Sequence, residues 1–289
     1  MVMDLKSIVS ELAPNEGLTK TGIDGLELFR MEKPSGRTAS VSIPAICFIV
    51  QGSKSLFIGK KDIVYDENNY LIGTAKIPLE SELIAASPER PYFGVIIHID
   101  QIIINDLLLE MDEFSLWPEH NKTDLIITSS ALDNDVKESL ARLLNIVGDP
   151  EKTKVLGRGL LREVYYYILK GERGYLLRNS ALNHARAHKM VPIINFIQSH
   201  FKEPIDIKQI ATYAGMSTSG LHEQFKRATS LSPMQFIKKI RLHNAHGLLL
   251  EGKSASDAAF DSGYGSQSQF SREFKRLFGI NPSELKKTA

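Results

Sequence analysis

The sequence predicts an α+β chain. An N-terminal β-barrel or sandwich with helices after it precedes an all-α domain, in which a long helix joins two helix-turn-helix units. Three observations predict this. From Val41 to Asp100, Ile-, Val-, Phe- and Tyr-rich runs alternate with turn residues. From about Gln101 the apolar residues recur three and four apart. From Lys189 onward the chain is a series of capped helical segments, and one order of residues occurs twice.

Composition bounds the classes. A chain of 289 residues favours two domains, and 43% hydrophobic with 24% charged residues is ordinary for a soluble protein with a core. Cys47 is the single cysteine and has no intrachain partner, which fits a reducing, cytoplasmic location. The start "MVMDLKSIVSELAPNEG" has no signal-type apolar stretch, and no run approaches the roughly 18 apolar residues of a membrane span. The net charge of +1 conceals an asymmetry. From Ala187 onward, 14 basic and 8 acidic residues give +6; the remainder, with 21 and 26, carries −5. A basic C-terminal third on an acidic remainder points to a polyanion as partner of that third, with a merely solvated basic face as the alternative.

The extended segments read "AICFIVQG", "KSLFIGKKDIVYD", "NYLIGTAKIPLES" and "PYFGVIIHID", with turns at Gly52-Ser53, Gly59-Lys60, Asn68-Asn69 and Ser87-Pro88. Short strands so spaced indicate a sandwich or small barrel. Helical periodicity follows in "IDQIIINDLLLEM", "DNDVKESLARLLNIV" and "EKTKVLGRGLLREVYYYILKG". Gly171 and Gly174 mark a break, and the polar "RNSALNHARAHK" places a boundary around residues 175 to 188. The expected domains are therefore 1–180 and 188–289.

In the second domain "KMVPIINFIQSHF" is a helix ending before Pro204. "DIKQIATYAG" opens on Asp206 as N-cap and closes on Gly215; "STSGLHEQFKRAT" opens on Ser217. "SPMQFIKKIRLHNAHGLLLEG" has Ser232 as cap and Pro233 at the first helical position. "SASDAAFDSG", "SQSQFSREFKRLFG" and "PSELKK" then repeat the earlier order. The repeat aligns at an offset of 48, becoming 49 after one insertion. Ala211 matches Ala259, Gly215 matches Gly263 and Ser217 matches Ser266. Leu221 matches Phe270, Phe225 matches Phe274 and Pro233 matches Pro282.

Each unit is a short helix, a glycine turn and a capped helix, which is the helix-turn-helix order. Leu221 with Phe225, and Phe270 with Phe274, form the inward stripe. The outward face of the second unit carries Gln267, Ser268, Gln269 and Arg272, side chains that suit base edges: Gln pairs with adenine and Arg with guanine. The comparable face of the first unit carries Ser219, His222 and Glu223. Ser217 and Ser266 at the helix starts, with Lys226, Arg227, Lys275 and Arg276 behind, are phosphate candidates. A solvated helix face is the alternative for one such surface; two of them, repeated within the basic third, favour DNA. The helix from Ser232 to Leu250 rises about 28 Å, enough to set two recognition helices in major grooves roughly 34 Å apart. Arg241 falls on an apolar stripe, where an ion pair to Asp257 or Asp261 is expected over a phosphate contact.

These segments resemble the AraC/XylS family of bacterial transcription regulators. "IATYAGMSTSGLHEQFK", "SPMQFIKKIRLHNAHGLLL" and, most specifically, "AAFDSGYGSQSQFSREFKRLFGINP" carry the resemblance. It implies a domain that binds double-stranded promoter DNA and recruits RNA polymerase. The family's base-reading positions map onto Ser219, His222 and Glu223, and onto Gln267, Ser268, Gln269 and Arg272. Since Ser219 is small and Glu223 acidic, the first helix is expected mainly to hold position, although Glu accepts from cytosine. "PAICFIVQGSKSLFIG", "YDENNYLIG", "ASPERPYFGVIIHID" and "LLREVYYYILKGERGYLLR" resemble the N-terminal domain of one AraC subgroup. That resemblance implies a cupin-like β-structure that senses a small-molecule effector and often dimerises.

Other constellations point elsewhere only weakly. His98 stands alone in the strand region, so neither metal nor other cofactor is expected. His184 and His188 are spaced i, i+4 without a third ligand, and a solvated linker is the simpler reading. Without metal ligands, an acid/base pair, a phosphate loop or a triad order, an enzyme is not expected. Cys47, in an apolar strand, is either a sensing thiol and effector contact or, as expected here, a small core residue. The stripe Leu156, Leu160, Val164 and Ile168, beside Tyr165 to Tyr167, either packs on the sheet or pairs two copies, and a homodimer is expected.

Overall fold

The apolar run Ala45–Gln51 is buried on both of its faces, and that fact sets the architecture. The computed structural model describes residues 4–59, 61–112, 126–181 and 190–285. Helix α1 (Leu5–Leu12) leads into strands β1 (Gly17–Lys20), β2 (Leu26–Met31), β3 (Ser35–Val41), β4 (Ala45–Gln51) and β5 (Ser53–Ile58). Strands β6 (Lys61–Asp66), β7 (Asn69–Gly73), β8 (Pro78–Ala85) and β9 (Tyr92–His98) follow. Helix α2 (Gln101–Asp112), β10 (Ile127–Ala131), α3 (Asn134–Leu144), α4 (Pro150–Lys170) and α5 (Tyr175–Ala181) complete this half.

The strands form two antiparallel sheets, ordered β1-β2-β9-β4-β7-β10 and β3-β8-β5-β6. One face of the six-stranded sheet carries Ile46, Phe48, Tyr70 and Val95 and packs on the helices. Its other face turns Ile49, Leu71 and Tyr92 toward Leu56, Tyr65 and Leu79 of the four-stranded sheet. A strand covered on both sides reads as a continuous apolar run, as β4 does. Strands β1, β2 and β3 lie before the predicted window, and β10 beyond it. Strand β3 is an edge with the polar sequence SGRTASV, none of it fully buried, so it lacks the apolar signal of a buried strand.

The stripe on α4 divides. Val164 and Ile168 are fully buried in the helix–sheet core, Leu160 is half-buried, and Leu156 is exposed. Tyr165 is also buried, and its hydroxyl donates to the His98 carbonyl at 2.5 Å, while Tyr166 faces solvent. Helix α5 puts Tyr175, Leu176 and Leu177 into the same core, so residues 175–181 belong with the first half. His184 and His188 lie outside the described residues.

The C-terminal part contains α6 (Met190–His200), α7 (Ile207–Ala214), α8 (Thr218–Thr229), α9 (Pro233–Leu250), α10 (Ala255–Asp261), α11 (Gln267–Phe278) and α12 (Pro282–Leu285). Asp206 and Ser232 form capping boxes with Gln209 and Gln235. The apolar cluster inside the two sheets continues into Ile193 and Ile197 of α6, Phe225 of α8 and Phe236 of α9. Gln198 donates to the Lys76 carbonyl at 2.7 Å. Gly59, at φ 63°, closes the β5–β6 turn so near α8 that an added Cβ would stand 2.5 Å from the Ser230 carbonyl oxygen. The first helix-turn-helix unit is thus seated directly on the β-structure.

Candidate nucleic-acid interface

Both units are built by the same local chemistry. Helix α7 ends at Gly215 in the left-handed region, at φ 61°, and Ser217 then caps α8 by accepting from the Gly220 N–H at 3.1 Å. In the second unit Gly263 turns the chain at φ 83°, and Ser266 caps α11 by accepting from the Gln269 N–H at 3.4 Å. Only glycine fits at 263, because a Cβ there would stand 2.6 Å from the Lys202 carbonyl. The inward stripes are fully buried: Leu221 and Phe225 on α8, Phe270 and Phe274 on α11.

Burying those stripes leaves the polar residues outside. Ser219, His222, Glu223 and Lys226 are exposed on α8; Gln267, Ser268, Gln269, Arg272 and Lys275 are exposed on α11. Arg227 and Arg276 are exposed at the C-terminal ends of the same helices. Local bonds pre-order part of this surface. The Ser219 and Ser268 hydroxyls lie 3.3 and 3.0 Å from those of the capping Ser217 and Ser266. The Gln269 amide donates to Glu273 at 3.3 Å.

Glu273 is a contributor that the sequence pattern did not reveal. It also accepts from the Tyr264 hydroxyl at 3.0 Å and pairs with Lys238 of α9 at 2.8 Å. Hydrogen bonds from Lys238, Gln269 and Tyr264 hold its pKa below the ordinary value even though burial pushes it upward. This carboxylate therefore ties α11 to the connecting helix and fixes the orientation of the second unit. Its helical position, between Phe270 and Phe274, reads as a solvent-side charge. Only the fold brings Lys238 and Tyr264 to it.

Arg241 does not pair with Asp257 or Asp261. Its guanidinium donates to the carbonyls of Phe201, at 2.6 Å, and Glu203, at 2.8 Å. These carbonyls follow the end of α6, where backbone acceptors lack helical partners, and a planar fork satisfies two at once. Asp257 instead accepts from the Ser254 hydroxyl, and Asp261 pairs with Lys253.

Between β8, α9 and α11 lies a cleft of about 320 Å³ bordered by Glu80, Lys238, Lys239, Glu273 and Arg276. Lys239 approaches Glu80 to 3.8 Å across it, and Glu80 also accepts from Arg37. Arg276 thus borders the β-structure as well as the α11 surface. His98 pairs with Glu27 at 2.9 Å. Among the described residues no three His, Cys, Asp or Glu side chains are grouped to hold a metal ion, and no helix is long and apolar enough to cross a membrane.

A family profile for the AraC-type transcriptional regulator N-terminus matches residues 22–176, more than half of the chain. The chain belongs to the AraC-type transcriptional regulator family. A helix-turn-helix domain profile matches residues 210–288 of this AraC-type regulator. It is similar to the transcriptional activator RhaS of Citrobacter koseri, 27% identical over 180 residues, covering 62% of this chain and 61% of that protein. It is also similar to the virulence regulon activator VirF of Yersinia enterocolitica, 28% identical over 154 residues, covering 53% and 56%. The match thus spans about three fifths of the length of these curated relatives. An apo ToxT structure from Vibrio cholerae shares the fold over 94% of this chain and 99% of that one, with a TM-score of 0.57 at 14% identity. The α+β architecture expected from the sequence is the one found.

Proposed function

We propose that this AraC-type regulator is a cytoplasmic protein that binds double-stranded promoter DNA sequence-specifically, recruits RNA polymerase and responds to a small-molecule effector. The proposed division is a sensor and dimerisation domain at 1–180 and a DNA-binding domain at 188–289. One observation carries the reading. Two helix-turn-helix units present polar, exposed faces on α8 and α11, and α9 separates them with 18 residues, about 27 Å of rise. That spacing suits successive major grooves. Gln267, Gln269 and Arg272 read bases, Ser219, His222 and Glu223 mainly hold register, and Ser217, Lys226, Arg227, Ser266, Lys275 and Arg276 meet phosphates. ToxT has been solved with an unsaturated fatty acid bound, which supports an effector role for the N-terminal half at the level of fold.

Substitution at α11 tests the assignment. Arg272→Ala is expected to cost about 1–3 kcal/mol on the cognate site and to relax preference at one base pair. Lys275→Ala is expected to weaken all sequences alike and to reduce the slope of log affinity against log salt by about 1. Gel-shift titrations on a randomised-site library at several salt concentrations measure both. Unchanged affinity and base preference in Arg272→Ala would remove α11 from the groove.

A further inference from the structure

Three helices of the C-terminal part open with the same signature, an N-cap residue followed three positions later by glutamine. The pairs are Asp206 with Gln209, Ser232 with Gln235, and Ser266 with Gln269. In the first two the glutamine amide oxygen turns back and accepts from the N-cap N–H, at 2.9 Å in α7 and 3.0 Å in α9. Gln269 is turned the other way: its amide nitrogen donates to Glu273, one turn on, at 3.3 Å. The cap does not account for the difference, since Ser266 still accepts from the Gln269 N–H. The residue four places on does. Tyr213 and Lys239 hold that place after Gln209 and Gln235, and neither offers a carboxylate.

Charge fixes the direction of the Gln269 bond. Glu273 Oε1 also lies 2.8 Å from the Lys238 ammonium, and its Oε2 accepts from the buried Tyr264 hydroxyl at 3.0 Å. Burial pushes the Glu273 pKa up, but the hydrogen bonds from Lys238, Gln269 and Tyr264 outweigh it and leave the net shift downward. Glu273 is therefore an anion, and an ionised carboxylate only accepts. An amide turned over would set its oxygen against a carboxylate oxygen. Gln269 thus has one amide orientation. One N–H is taken by Glu273, which leaves the oxygen and the second N–H of this exposed side chain to an outside partner.

An acceptor beside a donor matches one purine edge in the major groove. Adenine offers its N6 amine and N7 side by side, whereas guanine offers two acceptors, O6 and N7. A glutamine that turns freely meets guanine by presenting its NH2 group; a held one opposes O6 with its own oxygen. In the first unit the matching positions are Gly220 and Gln224, so this pair belongs to α11 alone. We propose that Glu273 is a specificity-determining positioning residue, which holds the Gln269 amide in the orientation that reads adenine and rejects guanine. The inference rests on the base-reading role of Gln269 given above, and it adds the base that is read and the residue that selects it.

The test is a randomised-site selection with the full-length protein, followed by titrations on the selected site. Gln269→Ala locates the base pair that Gln269 reads. There the wild type should prefer adenine to guanine by about 5-fold or more, and Glu273→Met should reduce that preference to below about 2-fold. Preferences at the other base pairs should stay as they are. In the Gln269→Ala background, Glu273→Met should leave base preference unaltered, because the residue it positions is gone. Lys238→Met is the control: it cuts the tie to α9 while Tyr264 still holds the carboxylate, so its base preferences should match wild type. A series of base analogues decides the matter on the wild type, even where Glu273→Met does not fold. At that position purine, which lacks the N6 amine, should bind better than hypoxanthine, whose O6 opposes the held amide oxygen. An amide free to turn reverses this order. The inference is overturned if Glu273→Met keeps the adenine preference or blurs every position of the site. It is equally overturned if Lys238→Met blurs the same base pair as strongly, or if hypoxanthine binds better than purine. If Gln269→Ala shifts no base preference, the base-reading role of Gln269 fails and the inference fails with it.

Discussion

Phe274→Ala is expected to unfold the second helix-turn-helix unit while the β-structure and first unit stay folded. Phe274 is fully buried, with Phe270 at 5.4 Å, Phe278 at 4.5 Å and a parallel His246 ring at 6.1 Å between ring centres. Truncating a buried phenylalanine costs about 3–5 kcal/mol through lost burial and the cavity left behind. The position of the loss makes it decisive. The cluster under α11 is small, with Phe270, Phe274, Tyr264, Leu242, Leu249 and Leu285 as its large members, and it is separate from the core that runs beneath the first unit. A mini-core of that size has no margin for several kcal/mol when whole domains are stable by about 5–15 kcal/mol. Limited proteolysis should cut Phe274→Ala within residues 255–285 first, and discrimination between cognate and random DNA should disappear while weak, salt-sensitive binding remains. Phe225→Ala is the control. It removes a ring of the same size from the core shared with the sheets, so its damage should extend to the seat of the first unit. A Phe274→Ala protein that resists proteolysis and retains sequence preference would disprove the independence of the second unit.

The separation of the two cores also explains which features are legible in the sequence. The caps and turns are, because they are local: Asp206, Ser217, Ser232 and Ser266 each bond a backbone N–H two or three residues on, and Gly215 and Gly263 close their helices within one turn. The buried stripes and the exposed faces of α8 and α11 follow from a 3.6-residue period alone. Strands covered on both sides, such as β4, announce themselves as apolar runs, whereas the polar edge β3 does not. Long-range pairings were hidden. Arg241 looks like a partner for nearby aspartates until the fold brings the end of α6 to it from 40 residues away. Helix α4 gave a single apolar stripe, and only packing shows that its C-terminal half is spent on the core while Leu156 remains exposed.

Acidification from about pH 7.5 to 5 is expected to loosen the second unit through His243, with the loss near 2 kcal/mol at the lower pH. His243 lies on α9 against the edge of Phe278, at 5.5 Å between ring centres, and its buried Nε2 has no hydrogen-bond partner among the described residues. Burial, reinforced by the charges of Lys239 and the neighbouring His246, pushes its pKa down to about 4. The unfolded chain, with an ordinary histidine near 6.5, then binds the proton first as pH falls. Stability is therefore complete above about 6.5 and is lost progressively toward 4, reaching about 3 kcal/mol when both states are protonated. The window from about 7.5 to 5 lies above the titration of most carboxylates, so Glu273 keeps its charge and its bonds to Lys238 and Tyr264 while the histidine responds. His243→Leu preserves a side chain of similar bulk against Phe278 and removes the titration. Urea unfolding of wild type and His243→Leu at both ends of that window should show the acid loss in the first and most of it abolished in the second. Equal losses in the two proteins would move the acid sensitivity elsewhere. His246 would be the next group to examine, because it stacks on Phe278 at 4.6 Å and burial lowers its pKa as well.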